Sequence, residues 1–124
     1  MRKAYTTKRA TSSGPYSHAI DAGDFVYLSG QTAKNSSDAD MEGDIAAQTK
    51  ECFLSLFDVL NEAGLSEEHV VKVNVYLTDM KNFDAMNEVY KTQFSEPFPA
   101  RTCVAVKELP LGAEVEIEFV AKKA

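Results

Sequence analysis

The sequence predicts an α+β domain: a β-sheet with helices on one face, its other face left for water or another subunit. Three observations predict it. VVKVNVYL, Val70 to Leu77, and VEIEFVA, Val115 to Ala121, alternate with the two-residue period of strands that bury one side. Residues 45–63 instead repeat apolar side chains every three or four positions. Residues 82–94 do the same, with Phe83, Met86, Val89 or Tyr90, and Phe94 on the inner side.

Taken in order, KAYTT near the start has the composition of an edge strand. Ser17–Ile20 and Phe25–Ser29 flank Asp21-Ala22-Gly23, which reads as a hairpin turn because glycine reaches the positive φ such turns need. The two strands are therefore expected to pair antiparallel. Thr32 to Gly43 is small and polar and is expected to be a surface loop. Asp44 is placed to cap the helix that follows, and Gly64 to end it in the left-handed conformation. In the next strand Val71, Val73, Val75 and Leu77 are expected to share the buried face. Pro97 and Pro99 rule out helix and set up an extended segment.

The last two strands carry the chemistry. FPARTCVAV, Phe98 to Val106, places an arginine in a run that otherwise reads as a buried strand. Arg101, Cys103 and Ala105 point one way, and Thr102, Val104 and Val106 the other. Glu116 and Glu118 oppose Val115, Ile117 and Phe119. If both strands turn their apolar sets to the helices, Arg101, Cys103, Glu116 and Glu118 share the far face.

Composition bounds the function. A chain of 124 residues, 44% hydrophobic and 26% charged, can bury about two-thirds of its unfolded surface as one domain, residues 1–124. Nineteen acidic against thirteen basic residues leave a net charge of −6, which opposes a nucleic-acid phosphate lattice. MRKAYTTKRATSSG has no apolar run, so neither a secretory signal nor a membrane span is expected there, and the protein is read as cytoplasmic. Cys52 and Cys103 lie far apart without CxxC spacing and read as free thiols. His18 and His69 are single histidines that form no metal set and are assigned to surface or turn positions.

FPARTCVAVKELPLGAEVEIEFVA resembles the C-terminal signature of the reactive intermediate deaminase family, also called the Rid or YjgF family. GPYSHAI at 14–20, YLSGQ at 27–31, VVKVNVYLTDM at 70–80, NFDAMNEVY at 82–90 and VEIE at 115–118 follow in the family's order and spacing. The resemblance implies a mixed sheet with two helices on one face, assembled as a barrel-like homotrimer with ligand clefts between neighbours. It also implies hydrolytic deamination of enamines and imines, such as 2-aminoacrylate and 2-iminopropanoate, to 2-keto acids and ammonia, with no metal or other cofactor.

Carried over residue by residue, the resemblance makes Arg101, Glu116 and Cys103 the catalytic set. Arg101 holds the substrate carboxylate, Glu116 positions a water and shuttles its proton, and Cys103 acts largely through its backbone groups. Tyr16, Ser29, Gly30 and Asn87 complete the substrate pocket, Gly30 by letting the chain pass close to the ligand. The segment TAKNSSDAD after Gln31 departs from the family's common pattern there, an Ile-Pro pair with a proline- and glycine-containing turn.

Each residue also has a structural reading. Arg101 can pair with Glu116 or Glu118, Cys103 can be core packing, Tyr16 can fill a subunit interface, and Asn87 can cap or bridge. Two further functions stay open beside deamination: a non-catalytic trimer that binds small carboxylates or a partner, and the ribonuclease or translation-inhibitor activity attached to some relatives by name.

Overall fold

A computed structural model describes residues 1–37 and 39–124. Asp38, within the predicted surface loop, lies outside the described residues. Six strands, β1 (Lys3–Tyr5), β2 (Ala19–Asp21), β3 (Phe25–Gln31), β4 (Val70–Leu77), β5 (Ala100–Ala105) and β6 (Val115–Lys122), form one sheet in the order β1-β2-β3-β6-β4-β5. Two helices, α1 (Ile45–Glu62) and α2 (Phe83–Tyr90), pack on one face. The sheet is mixed: β4 and β5 run parallel, and every other pair is antiparallel. A parallel pair needs a long crossover, and α2 supplies it.

The local signals act where they stand. Gly23 turns the hairpin at φ 94°, and the Gly23 N–H donates to Asp21 Oδ1 at 2.9 Å. The first hairpin strand is displaced toward the turn, to Ala19–Asp21, because the preceding residues are held instead by Ser29, whose hydroxyl donates to the Ser17 carbonyl. Asp44 accepts from the Ala47 N–H at 3.0 Å. At the other end of α1, Gly64 sits at φ 75° while the Leu65 N–H donates to Leu60 O and the Gly64 N–H to Asn61 O, closing the last carbonyls.

Between α1, α2 and the sheet lies an aromatic core. Phe53 meets Phe94 edge-on with centroids 5.7 Å apart, and Phe57, Tyr90 and Phe119 complete the group. From the sheet, Val73, Val75, Ile117 and Phe119 are all buried beneath it. Among the described residues no helix is long and apolar enough to cross a membrane.

Five sequence expectations need correction. Val71 is exposed, and Val70 takes the inward place: the register skips a residue between Val70 and Lys72, so Val71 is the extra residue of a bulge. The second helix ends at Tyr90, because the Thr92 hydroxyl caps Val89 O at 2.6 Å, although Phe94 still reaches the core. The loop after Gln31 is not confined to the surface: Thr32, Ala33 and Asn35 are buried. Gln48 and Glu114 fasten its far end through bonds to Met41 O and the Gly43 N–H. His18 is also buried, with Nδ1 accepting from the Thr7 N–H and Nε2 near Ser12 Oγ.

The last correction decides the site. In the parallel pair Arg101 is opposite Val73 and Cys103 opposite Val75, residues of the buried face. Directly opposed residues share a face, so Arg101 and Cys103 lie on the helix side. Glu116 and Glu118 oppose Tyr76 and Asn74 and lie on the other side. The apolar Val104 is exposed on β5, which inverts the pattern read from sequence.

Candidate functional site split across the sheet

Arg101 leaves the edge strand β5 and lies against α2. Phe83, Asn87 and Tyr90 are spaced by four and three residues and so fall on one helix face. They surround the guanidinium: its Cζ sits 4.7 Å from the Tyr90 ring centroid and 5.5 Å from that of Phe83, and Nη1 donates to Asn87 Oδ1 at 2.6 Å. Aromatic faces attract a guanidinium through the ring quadrupole, so its plane is held before any ligand arrives. Among the described residues no carboxylate pairs with it. The ion pair with Glu116 or Glu118 considered from sequence is thereby excluded within one chain. The groove beside it, about 350 Å³, is lined by Asn87, Glu88, Tyr90, Lys91, Phe98, Pro99 and Arg101.

Burial pushes the Tyr90 hydroxyl up to about 12, against the opposing pull of Arg101. It therefore stays a protonated donor at neutral pH, and among the described residues it has no hydrogen-bond partner. Cys103 packs against the core from the same face, and burial raises its thiol above the ordinary range despite the nearby Arg101. A thiol held protonated is a poor nucleophile.

Across the sheet, a second cleft of about 320 Å³ brings together Tyr16, Ser29, Gly30, Glu116 and Glu118, with Ser13, Thr32, Asn35 and Pro110 around them. The register of β3 on β6 breaks between Leu28 and Gln31, which puts Ser29 and Gly30 in an irregular step beside Glu116. A Cβ on Gly30 would stand 2.6 Å from Glu116 Oε1, so only glycine leaves the carboxylate its place. Burial, and then the neighbouring Glu118, raise Glu116 above the usual carboxylate range. Tyr16 is held by the Ser13 N–H, which donates to its Oη at 3.2 Å.

The sequence profile described as "Endoribonuclease L-PSP" matches residues 6–123. The chain belongs to that family. A mitochondrial mmf1 protein of Schizosaccharomyces pombe is 45% identical over 91% of this chain and 71% of its own length. A 2-iminobutanoate/2-iminopropanoate deaminase of Dermatophagoides farinae is 42% identical over 86% of this chain and 84% of its own. Among solved structures, the YjgF gene product of E. coli superposes with a TM-score of 0.89 at 31% identity, covering 98% of this chain and 99% of that one.

Within this L-PSP chain the seven residues singled out from sequence thus form two groups. Arg101, Cys103 and Asn87 belong to the helix-side edge; Tyr16, Ser29, Gly30 and Glu116 belong to the opposite cleft. The intervening β4 separates β5, which carries Arg101, from β6, which carries Glu116, by two spacings of about 4.8 Å. Sequence reading did not single out the Phe83 and Tyr90 rings as partners of Arg101. Their signal was present as the helical spacing around Asn87, but an aromatic on an inner helix face reads first as core.

Proposed function

We propose that the chain hydrolyses 2-imino carboxylates and their enamine tautomers to 2-keto acids and ammonia, in clefts shared by two copies of a homotrimer. The observation that carries this is Arg101: a fixed cation, held between two rings, without a carboxylate partner among the described residues and open to a groove. A planar guanidinium accommodates a carboxylate bidentately, at about 1.5–3 kcal/mol for a charge-assisted contact. The deaminase name carried by a relative at 42% identity supports the same substrate class.

A second copy supplies the rest. Its Tyr16, Ser29, Gly30 and Glu116 cleft, set against the β5 edge, brings a proton acceptor to a carboxylate held by Arg101. Glu116 takes a proton from water as the oxygen attacks the electrophilic carbon of the protonated imine. The carbinolamine then loses its C–N bond, the proton returns with the departing amine, and keto acid and ammonium remain. Cys103 contributes backbone groups near the bound carboxylate, and Asn87 fixes the arginine. Placement and one proton transfer are sufficient chemistry for so reactive a substrate.

Two measurements test this. Imines generated by an amino-acid oxidase should decay faster with the protein than in buffer, and Arg101→Ala should lower kcat/KM by about 10- to 150-fold. Arg101→Ala and Glu116→Gln proteins, unfolded and refolded together, should regain activity in about a quarter of the clefts if neighbours share each one. No regain would place both residues' work in one chain. Saturable keto-acid binding without imine decay would instead support the carboxylate-binding reading, for which the separation of Arg101 from Glu116 within one chain speaks. The ribonuclease reading has less support, because Glu116 and Glu118 line the cleft and repel phosphate.

A further inference from the structure

Two carboxylates stand two residues apart on one face of β6 and line the same cleft, yet their surroundings differ. Glu118 Oε1 accepts from Tyr76 Oη at 2.6 Å and from Asn74 Nδ2 at 3.0 Å. Among the described residues Glu116 receives no side-chain hydrogen bond, and it faces the glycine that makes room for it. Donors directed at one carboxylate favour its charged form, while a carboxylate without them, partly out of water and beside a like charge, favours the proton. Neighbouring acids in such unlike surroundings can divide into a fixed charge and a proton carrier.

We propose that Glu118, held by Tyr76 and Asn74, is a positioning residue whose fixed negative charge makes Glu116 the proton-carrying group of the cleft. Glu118 touches no reacting atom in this scheme and acts through Glu116 alone. The elements around Glu116 present few competing charges. From β4 comes Tyr76, whose hydroxyl is pushed up to about 12 by its bond to Glu118, so it remains a neutral donor. From the segment before β2 comes Tyr16; β3 contributes only Ser29 and Gly30. Beneath the sheet, α1 presents the Cys52 thiol, which burial raises first and Glu116 second. Arg101 of a second copy would add a positive charge, equally in wild type and in Glu118 variants.

This inference rests on Glu116 being the proton acceptor of the proposed hydrolysis, so its test includes a readout independent of turnover. Carboxyl carbon-13 NMR of the assembled protein, with the Glu116 resonance assigned by its loss in Glu116→Gln, follows that titration directly. Glu118→Gln keeps an acceptor oxygen for Tyr76 and Asn74 but removes the charge. The Glu116 titration should move to lower pH, and the acid limb of the imine-hydrolysis profile should move with it. Tyr76→Phe, which leaves the Glu118 carboxylate and its charge in place, should move both by less. A Glu116 titration unmoved in a folded Glu118→Gln protein overturns the inference, whether or not imines are hydrolysed. A moved titration without imine hydrolysis in wild type supports the electrostatic coupling and overturns the proposed activity instead.

Discussion

Arg101 and Glu116 project from opposite faces of one sheet, with β4 between their strands. In a 2-imino acid the carboxylate carbon and the imine carbon are directly bonded, so a single chain cannot apply both residues to one such molecule. In the proposed hydrolysis, one copy would bring Arg101 to the carboxylate and another would bring Glu116 to the imine carbon, each already positioned within its own chain.

The proposed carboxylate anchor depends on its rings. Replacing Tyr90 by Leu should weaken 2-keto acid binding by about 2- to 30-fold, the range of a lost cation–π contact of about 0.5–2 kcal/mol, as measured by calorimetry. Tyr90→Phe keeps the ring and removes a buried hydroxyl that has no partner among the described residues, so affinity should hold within about twofold and stability should not fall.

Gly30→Ala separates site geometry from folding. The new methyl would meet Glu116 Oε1 at 2.6 Å, and the flexible end of that side chain can swing away. Thermal unfolding should change little, while imine hydrolysis should fall toward the level of Glu116→Gln. Full activity in Gly30→Ala would show that Glu116 need not occupy this position.

Acid stability should report on Asp21, where the N-terminal strands meet the end of the chain. The Lys123 ammonium, 2.6 Å away, and then the Gly23 N–H hold this carboxyl down to about 2 from 3.8. A depressed folded-state value means stability present above the unfolded value and lost as pH falls through the folded one. Asp21→Asn should therefore be less stable than wild type at neutral pH, and the difference should fade between about pH 4 and 2 in urea titrations.

Phe53 lies at the centre of the aromatic core, 1% exposed and within 5.9 Å of four other rings. Phe53→Ala should cost about 3–5 kcal/mol in denaturant unfolding, as a lost ring and an incompletely filled cavity together require. A loss below about 1 kcal/mol would mean that the helices close over the gap.

Much of the fold was legible because its signals are local. The alternation of Val115, Ile117 and Phe119 states which face of β6 is buried, and the cap at Asp44 and the stop at Gly64 mark α1 within a residue. The β5 face was misread because periodicity assumes that the apolar set turns inward. Here Arg101 turns inward, made tolerable by two ring faces and Asn87, and Val104 turns outward on an edge strand. The Val71 bulge follows from pairing with β6, which the composition of β4 alone does not contain. Likewise the loop after Gln31 looks like surface until Gln48 and Glu114 are brought to it from 66 positions apart in sequence. The candidate site residues came from the family resemblance; their division between two faces of the sheet was not legible in the sequence.

The sheet ends at β5, and among the described residues no strand pairs with its outer edge. An uncovered edge with an exposed valine is a template for any passing extended chain. The strand that presents Arg101 is thus also an open edge of the sheet. If the proposed clefts form against this edge, dilution or heat that uncovers it would end activity and favour aggregation in the same event. A lysine at exposed Thr102, on the face away from Arg101, would show whether solubility can be improved without touching the groove.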